Sequence, residues 1–247
     1  MDKKIEQLQH LIDESSAIVF FGGAGVSTES GIPDFRSVDG LYNQKWDYPP
    51  ETILSHTFFM RQTAEFYRFY REKLIVKGVQ PNAAHRKLAE LERAGKLRGV
   101  ITQNIDGLHQ AAGSTAVYEL HGSTLRNYCM QCGSSYDSDF IVAAAAHDDG
   151  IPHCTKCGGT VKPDVVLYEE PLDQAVMDSA ITALSAADML IIGGTSLTVY
   201  PAAGLIHYFH GDRLVLINQG ETREDGRASL VIREPIGAVC ERIVVRP

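Results

Sequence analysis

The chain has no apolar run near the roughly 20 residues that a bilayer-crossing helix requires, which argues against a membrane-spanning segment. Positive charge is also scarce, with 23 Lys and Arg against 31 Asp and Glu and a net charge of -8. Binding nucleic acid or an anionic membrane through bulk electrostatics needs clustered cations, so both partners are excluded at this level. A basic protein partner remains compatible. The opening stretch MDKKIEQLQHLIDESS lacks the apolar centre of a secretory signal. It reads instead as an amphipathic helix with Ile5, Leu8, Leu11 and Ile12 on one face. A cytoplasmic location is therefore expected, where five cysteines serve as metal ligands or free thiols rather than disulfides. Internal repeats, low-complexity tracts and flexible linkers are absent as well.

What is present suits a folded domain. Of 247 residues, 44% are hydrophobic and 22% charged, enough for one large domain or a large domain carrying a small one. Short β-branched runs read as buried parallel strands: Ile18–Phe21, Val100–Thr102, Val117–Leu120, Met189–Gly193, Leu214–Asn218 and, more weakly, Leu230–Ile232. Helical patterns alternate with them over Ala83–Arg93, in the stripe Val176, Ala180, Leu184 and Ala187, and over Tyr200–His210. The expected fold class is α/β, a doubly wound, Rossmann-like parallel sheet. Two stretches interrupt it. Residues 38–80 are aromatic-rich and read as a helical insert, while residues 124–168 hold four of the five cysteines and read as a small zinc-ribbon module. Residues 1–37, 81–123 and 169–247 are left for the Rossmann-like body. Both inserts are expected to pack on the main sheet and leave a cleft for a ligand.

Cys129-x2-Cys132 is followed 21 residues later by Cys154-x2-Cys157, each pair trailed by glycine. Paired CxxC motifs of this kind predict a tetrahedral zinc site, with cytosolic redox chemistry as the competing reading. Four thiolates leave no open coordination position, so the zinc is expected to be structural. His153 stands beside Cys154 as a conceivable competitor ligand. Cys240 lies in an apolar segment and reads as a core thiol.

The first predicted strand runs into Gly22-Gly23-Ala24-Gly25, a half-match to a dinucleotide loop whose third glycine slot holds Thr28. Alone it is equally a tight turn. Backbone N–H groups at a following helix start suit a pyrophosphate, and Ser27 and Thr28 offer hydroxyls or caps. No acid closes the second strand to hold a ribose as in hydride-transfer enzymes. Polar clusters follow the other strands: Thr102-Gln103-Asn104-Ile105-Asp106, Leu120-His121-Gly122, Gly193-Gly194-Thr195-Ser196 and Asn218-Gln219-Gly220. The carboxyl ends of parallel strands share one edge, so all four converge on the glycine loop.

This set of motifs resembles the sirtuin family of NAD-dependent protein lysine deacylases across nearly the whole chain. It is carried by Gly23–Arg36, Thr102–His109, Glu119–Gly122, the two CxxC pairs, Gly194–Leu197 and Ile217-Asn218. The resemblance implies a bacterial-type enzyme that uses NAD as co-substrate. An acyl-lysine oxygen attacks the ribose carbon bearing nicotinamide, and the products are lysine, nicotinamide and O-acyl-ADP-ribose. His121 is implied as general base, and histidine does titrate nearest neutrality. Asn104 is implied as the second catalytic residue, orienting a water or the ribose. Gln103, Ile105 and Asp106 would hold the ribose and the nicotinamide amide. Phe35 would shield the reacting carbon from water, Arg36 would reach phosphate or ribose, and Ala24 and Thr28 would line the phosphate loop. Thr195, Ser196 and Asn218 would face the adenosine.

The implied protein partner is an acetyl-lysine peptide pairing as a strand with the exposed edge Val165, Val166, Leu167 and Tyr168. Here the chain departs from the family, since Tyr168-Glu169-Glu170 replaces Phe-Gly-Glu. A preference for basic residues flanking the lysine is the expectation. Desuccinylating members carry Tyr-x-x-Arg, whereas Arg71 falls one position late after Tyr67, a rotation of about 100° on a helix. Deacetylation, with longer apolar acyl groups as an extension, is expected over desuccinylation. Mono-ADP-ribosyl transfer, a nicotinamide oxidoreductase and a non-enzymatic zinc-ribbon protein are the competing readings.

Overall fold

The structure, a computed structural model, describes residues 3–35, 40 and 46–246. Its elements run α1 (Lys3–Glu14), β1 (Ile18–Gly22), α2 (Pro50–Ile53), α3 (His56–Arg61), α4 (Thr63–Lys73) and α5 (Ala83–Arg93). They continue with β2 (Leu97–Thr102), α6 (Leu108–Ala111), β3 (Val117–Glu119), β4 (Gly122–Cys129), β5 (Ser135–Tyr136) and α7 (Ser138–Ala143). The chain then forms β6 (Val161–Val165), α8 (Gln174–Ser185), β7 (Met189–Gly193), β8 (Arg213–Ile217), β9 (Leu230–Ile232) and α9 (Ile236–Glu241).

Six strands form one parallel sheet in the order β3-β2-β1-β7-β8-β9. The order reverses at β1, which pairs with β2 on one side and β7 on the other. This is the Rossmann-like, doubly wound arrangement expected from the alternating pattern. Every residue of β1 and β7 is buried, because helices cover both faces. Alternate residues therefore feed two separate cores. Ile18, Phe20, Met189 and Ile191 face α1, α5 and α9, while Val19, Phe21, Leu190 and Ile192 face α8 and the turn over residues 202–208.

Helix starts follow their caps. The Asn82 carboxamide accepts from the Ala84 N–H at the head of α5, and the Asp173 carboxylate accepts from the Val176 N–H at the head of α8. α1 buries Ile5, Leu8 and Ile12, with Leu11 half-buried. The helix expected over Tyr200–His210 is instead a tighter 3-10 coil over Ala202–Tyr208. Gly204 in its middle is a poor α-former, and the tighter coil still buries Leu205 and Ile206.

The inserts depart further from expectation. Rather than each packing on the main sheet, they share a third core. Phe59, Phe66, Tyr67 and Tyr70 from α3 and α4 meet Cys129, Ile141, Cys154 and Val161 of the small module. The small module's own sheet is antiparallel, in the order β5-β4-β6.

Between α5 and α6 lies a pair of buried imidazoles. His85 and His109 are 0% and 1% exposed, with ring centroids 4.7 Å apart. The His85 Nδ1 accepts from the Asn82 N–H, and neither ring nitrogen of His109 has a partner among the described residues. Burial holds both rings well below the usual 6.5, so they stay neutral when folded. Below that pH the unfolded chain takes up protons that the folded chain refuses, so stability falls as pH falls. Two such groups give a slope of at most about 2.7 kcal/mol per pH unit. Urea midpoints measured from about pH 7 to about pH 5 should decline, and His109→Gln should shallow the decline. An unaltered slope in that variant would place the titrating group elsewhere.

Candidate active site

A cavity of about 580 Å³ opens at the point where the sheet order reverses. Its floor is the turn after β1, held against the turn after β7. The Gly25 N–H donates to the Gly194 carbonyl at 2.9 Å, and the Gly23 N–H to the Gly193 carbonyl at 3.3 Å. Gly194 has φ +58, and a Cβ there would lie 2.4 Å from the Val26 nitrogen, so both turns need glycine at this contact. The α-helix expected to present amides to a phosphate is not formed. Two 3-10 turns, Ala24–Val26 and Thr28–Ser30, take its place, and the Val26 and Ser27 amides bond within the loop. Ala24 and Thr28 line the cavity, and the Thr28 hydroxyl donates to the Gly25 carbonyl.

The turn after β2 adds Gln103, Asn104, Ile105 and Asp106 to the same wall. Ser27 joins the two turns: its hydroxyl donates to Asp106 Oδ2 at 2.6 Å and accepts from Asn104 Nδ2 at 3.0 Å. Asp106 Oδ1 also accepts from the Leu108 N–H, so Asn104 and Asp106 are fixed by a closed network. The Gln103 side chain donates to the Thr195 hydroxyl at 3.1 Å.

His121 stands at the end of the segment after β3, its ring in the cavity wall. Its Nδ1 lies 3.0 Å from the Gln103 carbonyl oxygen. A carbonyl only accepts, so Nδ1 carries the proton and Nε2 keeps the lone pair of a base. Burial holds the ring below its ordinary value, which keeps it neutral and able to accept a proton at neutral pH. The next residue must be glycine: Gly122 has φ +74, and a Cβ would come 1.9 Å from the Asp164 carbonyl oxygen.

Val165, Val166, Leu167 and Tyr168 also line the cavity, as do Phe35, Thr195, Ser196 and Asn218. Arg36 lies outside the described residues. Every other residue expected to hold the dinucleotide or the peptide thus faces one cavity. The strand edge expected to be open over 165–168 has the amides of Val166, Leu167 and Tyr168 taken within the chain. Val165 and Leu167 are buried. The Val166 N–H donates to the His121 carbonyl, the Tyr168 N–H to the Leu54 carbonyl, and the Leu167 N–H to Glu170. The Glu169 carboxylate accepts from the Thr57 N–H at 2.9 Å, a bond that favours its charged form and leaves an acid in the cavity lining.

Several lining residues escaped the sequence reading: Leu54 and Leu74 from the helical insert, Val199 and Tyr200 after β7, and Glu234 and Ile236 after β9. The last pair follows a strand end and was legible by the same rule that found Asn218. Arg233 also went unread. Its guanidinium donates to the Asn218 and Gly220 carbonyls at 3.2 and 3.0 Å and sets that turn.

The Sγ atoms of Cys129, Cys132, Cys154 and Cys157 all lie within 4.8 Å of one another. Cys129 and Cys157 are 3.4 Å apart, and Cys132 and Cys154 are 3.5 Å apart. Zinc bonded to four sulfurs at about 2.3 Å sets tetrahedron edges of about 3.8 Å, so the cluster fits that ion. Gly133 and Gly158 turn the two knuckles at φ 69 and 75. The Gln131 and Lys156 amides point at Cys129 and Cys154, and the Tyr136 hydroxyl donates to Cys154, contacts that suit thiolates. His153 turns away to Asp149 at 2.8 Å. The four cysteines are positioned to hold one structural zinc ion.

Comparison with known proteins agrees with this geometry. Residues 23–201 match the model of the Sir2 family. A protein of Clostridium acetobutylicum named NAD-dependent protein deacetylase is 58% identical over 98% of both chains. One of the same name from Clostridium perfringens is 59% identical over 99% of this chain and 100% of its own. A solved Sir2 complex with deacetylated p53 peptide and 3'-O-acetyl-ADP-ribose superposes with a TM-score of 0.90 at 37% identity, covering 97% of this chain and 96% of that one. A Sir2 complex with p53 peptide and NAD+ gives 0.87 at 38% identity, covering 97% and 96%.

The cysteine cluster makes a prediction independent of any reaction. Elemental analysis should find one zinc per chain, and Cys132→Ser should lose it along with thermal stability. A metal-free protein with an unchanged melting midpoint would refute the structural assignment.

Proposed function

The chain belongs to the Sir2 family, and on that premise we propose that it is an NAD-dependent protein lysine deacetylase. The observation that carries the reading is His121, a neutral base whose free Nε2 belongs to the same cavity as the glycine turn and the 165–168 wall. NAD supplies a ribose whose bond to nicotinamide can be broken and which leaves carrying the acetyl group. In this reading Ala24, Thr28, Gln103, Thr195, Ser196 and Asn218 hold the dinucleotide, with Arg36 added on the resemblance. Ile105 and Asp106 bind the carboxamide. Asn104, oriented by Ser27, fixes a ribose hydroxyl or a water. His121 accepts a ribose proton at Nε2 while Nδ1 stays bonded to the Gln103 carbonyl. Phe35 excludes water from the reacting carbon.

Residues 1–37, 81–123 and 169–247 form the NAD-binding body in this assignment, with 38–80 as helical insert and 124–168 as zinc module. The substrate is an acetyl-lysine protein entering between the 165–170 wall and the Val199–Pro201 turn, both of which line the cavity. A cytoplasmic location fits, as no helix among the described residues is long and apolar enough to cross a membrane.

The acyl preference follows from charge. No lysine or arginine among the described residues lines the cavity. Arg71 is turned to the Gly150 carbonyl at 2.9 Å, and the Tyr67 hydroxyl bonds the Val161 carbonyl, so both serve the insert–module contact. A succinyl carboxylate would sit without a partner. Turnover of succinyl-lysine peptides should be about tenfold or more below that of acetyl-lysine peptides, and comparable kcat/KM values would remove this reading.

Mass spectrometry of enzyme, NAD and an acetyl-lysine peptide should show nicotinamide, free lysine peptide and O-acetyl-ADP-ribose. A mass gain on the protein would indicate ADP-ribosyl transfer instead. His121→Ala should lower turnover by about 10²–10⁴-fold with zinc retained, and undiminished turnover would defeat the assignment of the base.

A further inference from the structure

β4 begins beside the proposed base at Gly122 and ends at the zinc-cluster cysteine Cys129. Its pairing with β6 is broken on the way. Ser123 sits opposite Asp164, yet the next pair is Asn127 with Pro163, so Thr124, Leu125 and Arg126 form a bulge with no residues opposite them. Each of the three reaches a different part of the site. The Thr124 N–H and hydroxyl both donate to the Ile105 carbonyl, at 2.9 and 3.0 Å. The Leu125 side chain covers Gly107, where a Cβ would meet it at 2.5 Å. Arg126 donates from Nη1 to Glu119 Oε2 at 2.7 Å and from Nε to Asp164 Oδ2 at 2.8 Å.

The two carboxylates are well chosen for a clamp. Glu119 stands two residues before His121, and Asp164 immediately precedes the wall that starts at Val165. The strand carrying the base and the strand carrying the wall are thereby held together by one planar cation, whose fork fixes angle as well as distance. The clamp closes next to the Val166 N–H bond to the His121 carbonyl, at 3.0 Å. Glu119 is only 10% exposed, while Arg126 and Asp164 are 43% and 39% exposed, so the clamp's value lies in the geometry of the fork rather than in burial.

We propose that the Thr124–Arg126 bulge is the joint through which the cysteine-bearing module positions the reactive groups, with Arg126 as a positioning residue for His121 and the peptide wall. This deepens the deacetylase reading and rests on it for its kinetic consequence. The glycine turn and the Thr195 and Asn218 turns belong to other elements, so loosening the joint should leave the ADP-ribose half of the dinucleotide in place while misaligning base, peptide and, through Thr124 and Ile105, the carboxamide. Small displacements of reacting groups are costly in rate.

The test compares wild type, Arg126→Met and Arg126→Lys. Arg126→Met should lower kcat with acetyl-lysine peptide about tenfold, with affinity for ADP-ribose, which lacks the carboxamide, and zinc content unchanged. Arg126→Lys should recover part of the loss, since an ammonium can serve one carboxylate but lacks the fork. Hydrogen exchange at the Thr124 and Val166 amides should quicken in Arg126→Met, a readout that needs no turnover. Unchanged exchange at those amides, or full kcat in Arg126→Met, would overturn the proposal. Weakened ADP-ribose binding with no recovery by lysine would also overturn it, by showing general loosening. If the wild type releases no nicotinamide, the deacetylase reading fails, and exchange alone decides whether the joint exists.

Discussion

The contact between the turn after β1 and the turn after β7 is the constraint on which the rest of the molecule is built. Parallel neighbours in a sheet need crossover connections, and the direction of crossover reverses between these two strands. The reversal leaves a crevice that no helix fills. Its width is set by backbone touching backbone, through the Gly25 N–H bond to the Gly194 carbonyl and the Gly194 N–H bond to the Ile217 carbonyl. A side chain at Gly194 would collide with the Val26 nitrogen and lift the whole glycine turn. The glycine turn and the Gln103–Asp106 turn are positioned from this seam outward.

From the seam, order passes through polar groups rather than apolar packing. Ser27 belongs to the glycine turn, yet its hydroxyl is bonded to Asp106 and Asn104 of the next turn. The Asn104 N–H in turn donates to the Thr102 hydroxyl, and the Gln103 carbonyl accepts a hydrogen bond from His121 Nδ1. Each group in this chain has its partner, which is the condition under which a buried polar network rigidifies a site instead of weakening it. The imidazole that results is aimed and neutral for separate reasons. The carbonyl aims it, and burial lowers its affinity for a proton.

The sequence revealed most where a residue's environment is dictated by its own element. β1 and β7 were legible because strands buried on both faces must be apolar throughout, and α5 because Asn82 and the Leu88–Leu91 spacing mark a capped, one-sided helix. The cysteine cluster was legible from spacing alone. What stayed hidden depends on partners distant in the chain. The Tyr67 hydroxyl bonds the Val161 carbonyl across the shared core of insert and module, a partner that nothing in its own segment shows. The short 3-10 turns after the glycines and the β4 bulge are decided by what docks against them, which no local pattern records. Tyr168 read as an open edge because nothing in its own segment shows that Leu54 and His56 close it.

That closed edge also explains the acid at position 169. Glu169 has φ 77, a left-handed conformation that a residue with a Cβ adopts only when its surroundings enforce it. The enforcement is visible on both sides. Before it, Tyr168 exchanges backbone bonds with Leu54 and His56; after it, Glu170 accepts from Leu167, His56 and Lys162. The Glu169 carboxylate itself caps the Thr57 N–H, and that bond lowers its proton affinity. Glycine would adopt this turn without strain but could not tie it to α3. The glutamate trades local ease for attachment, so the cavity wall at 168–170 is joined to the helical insert at 54–57.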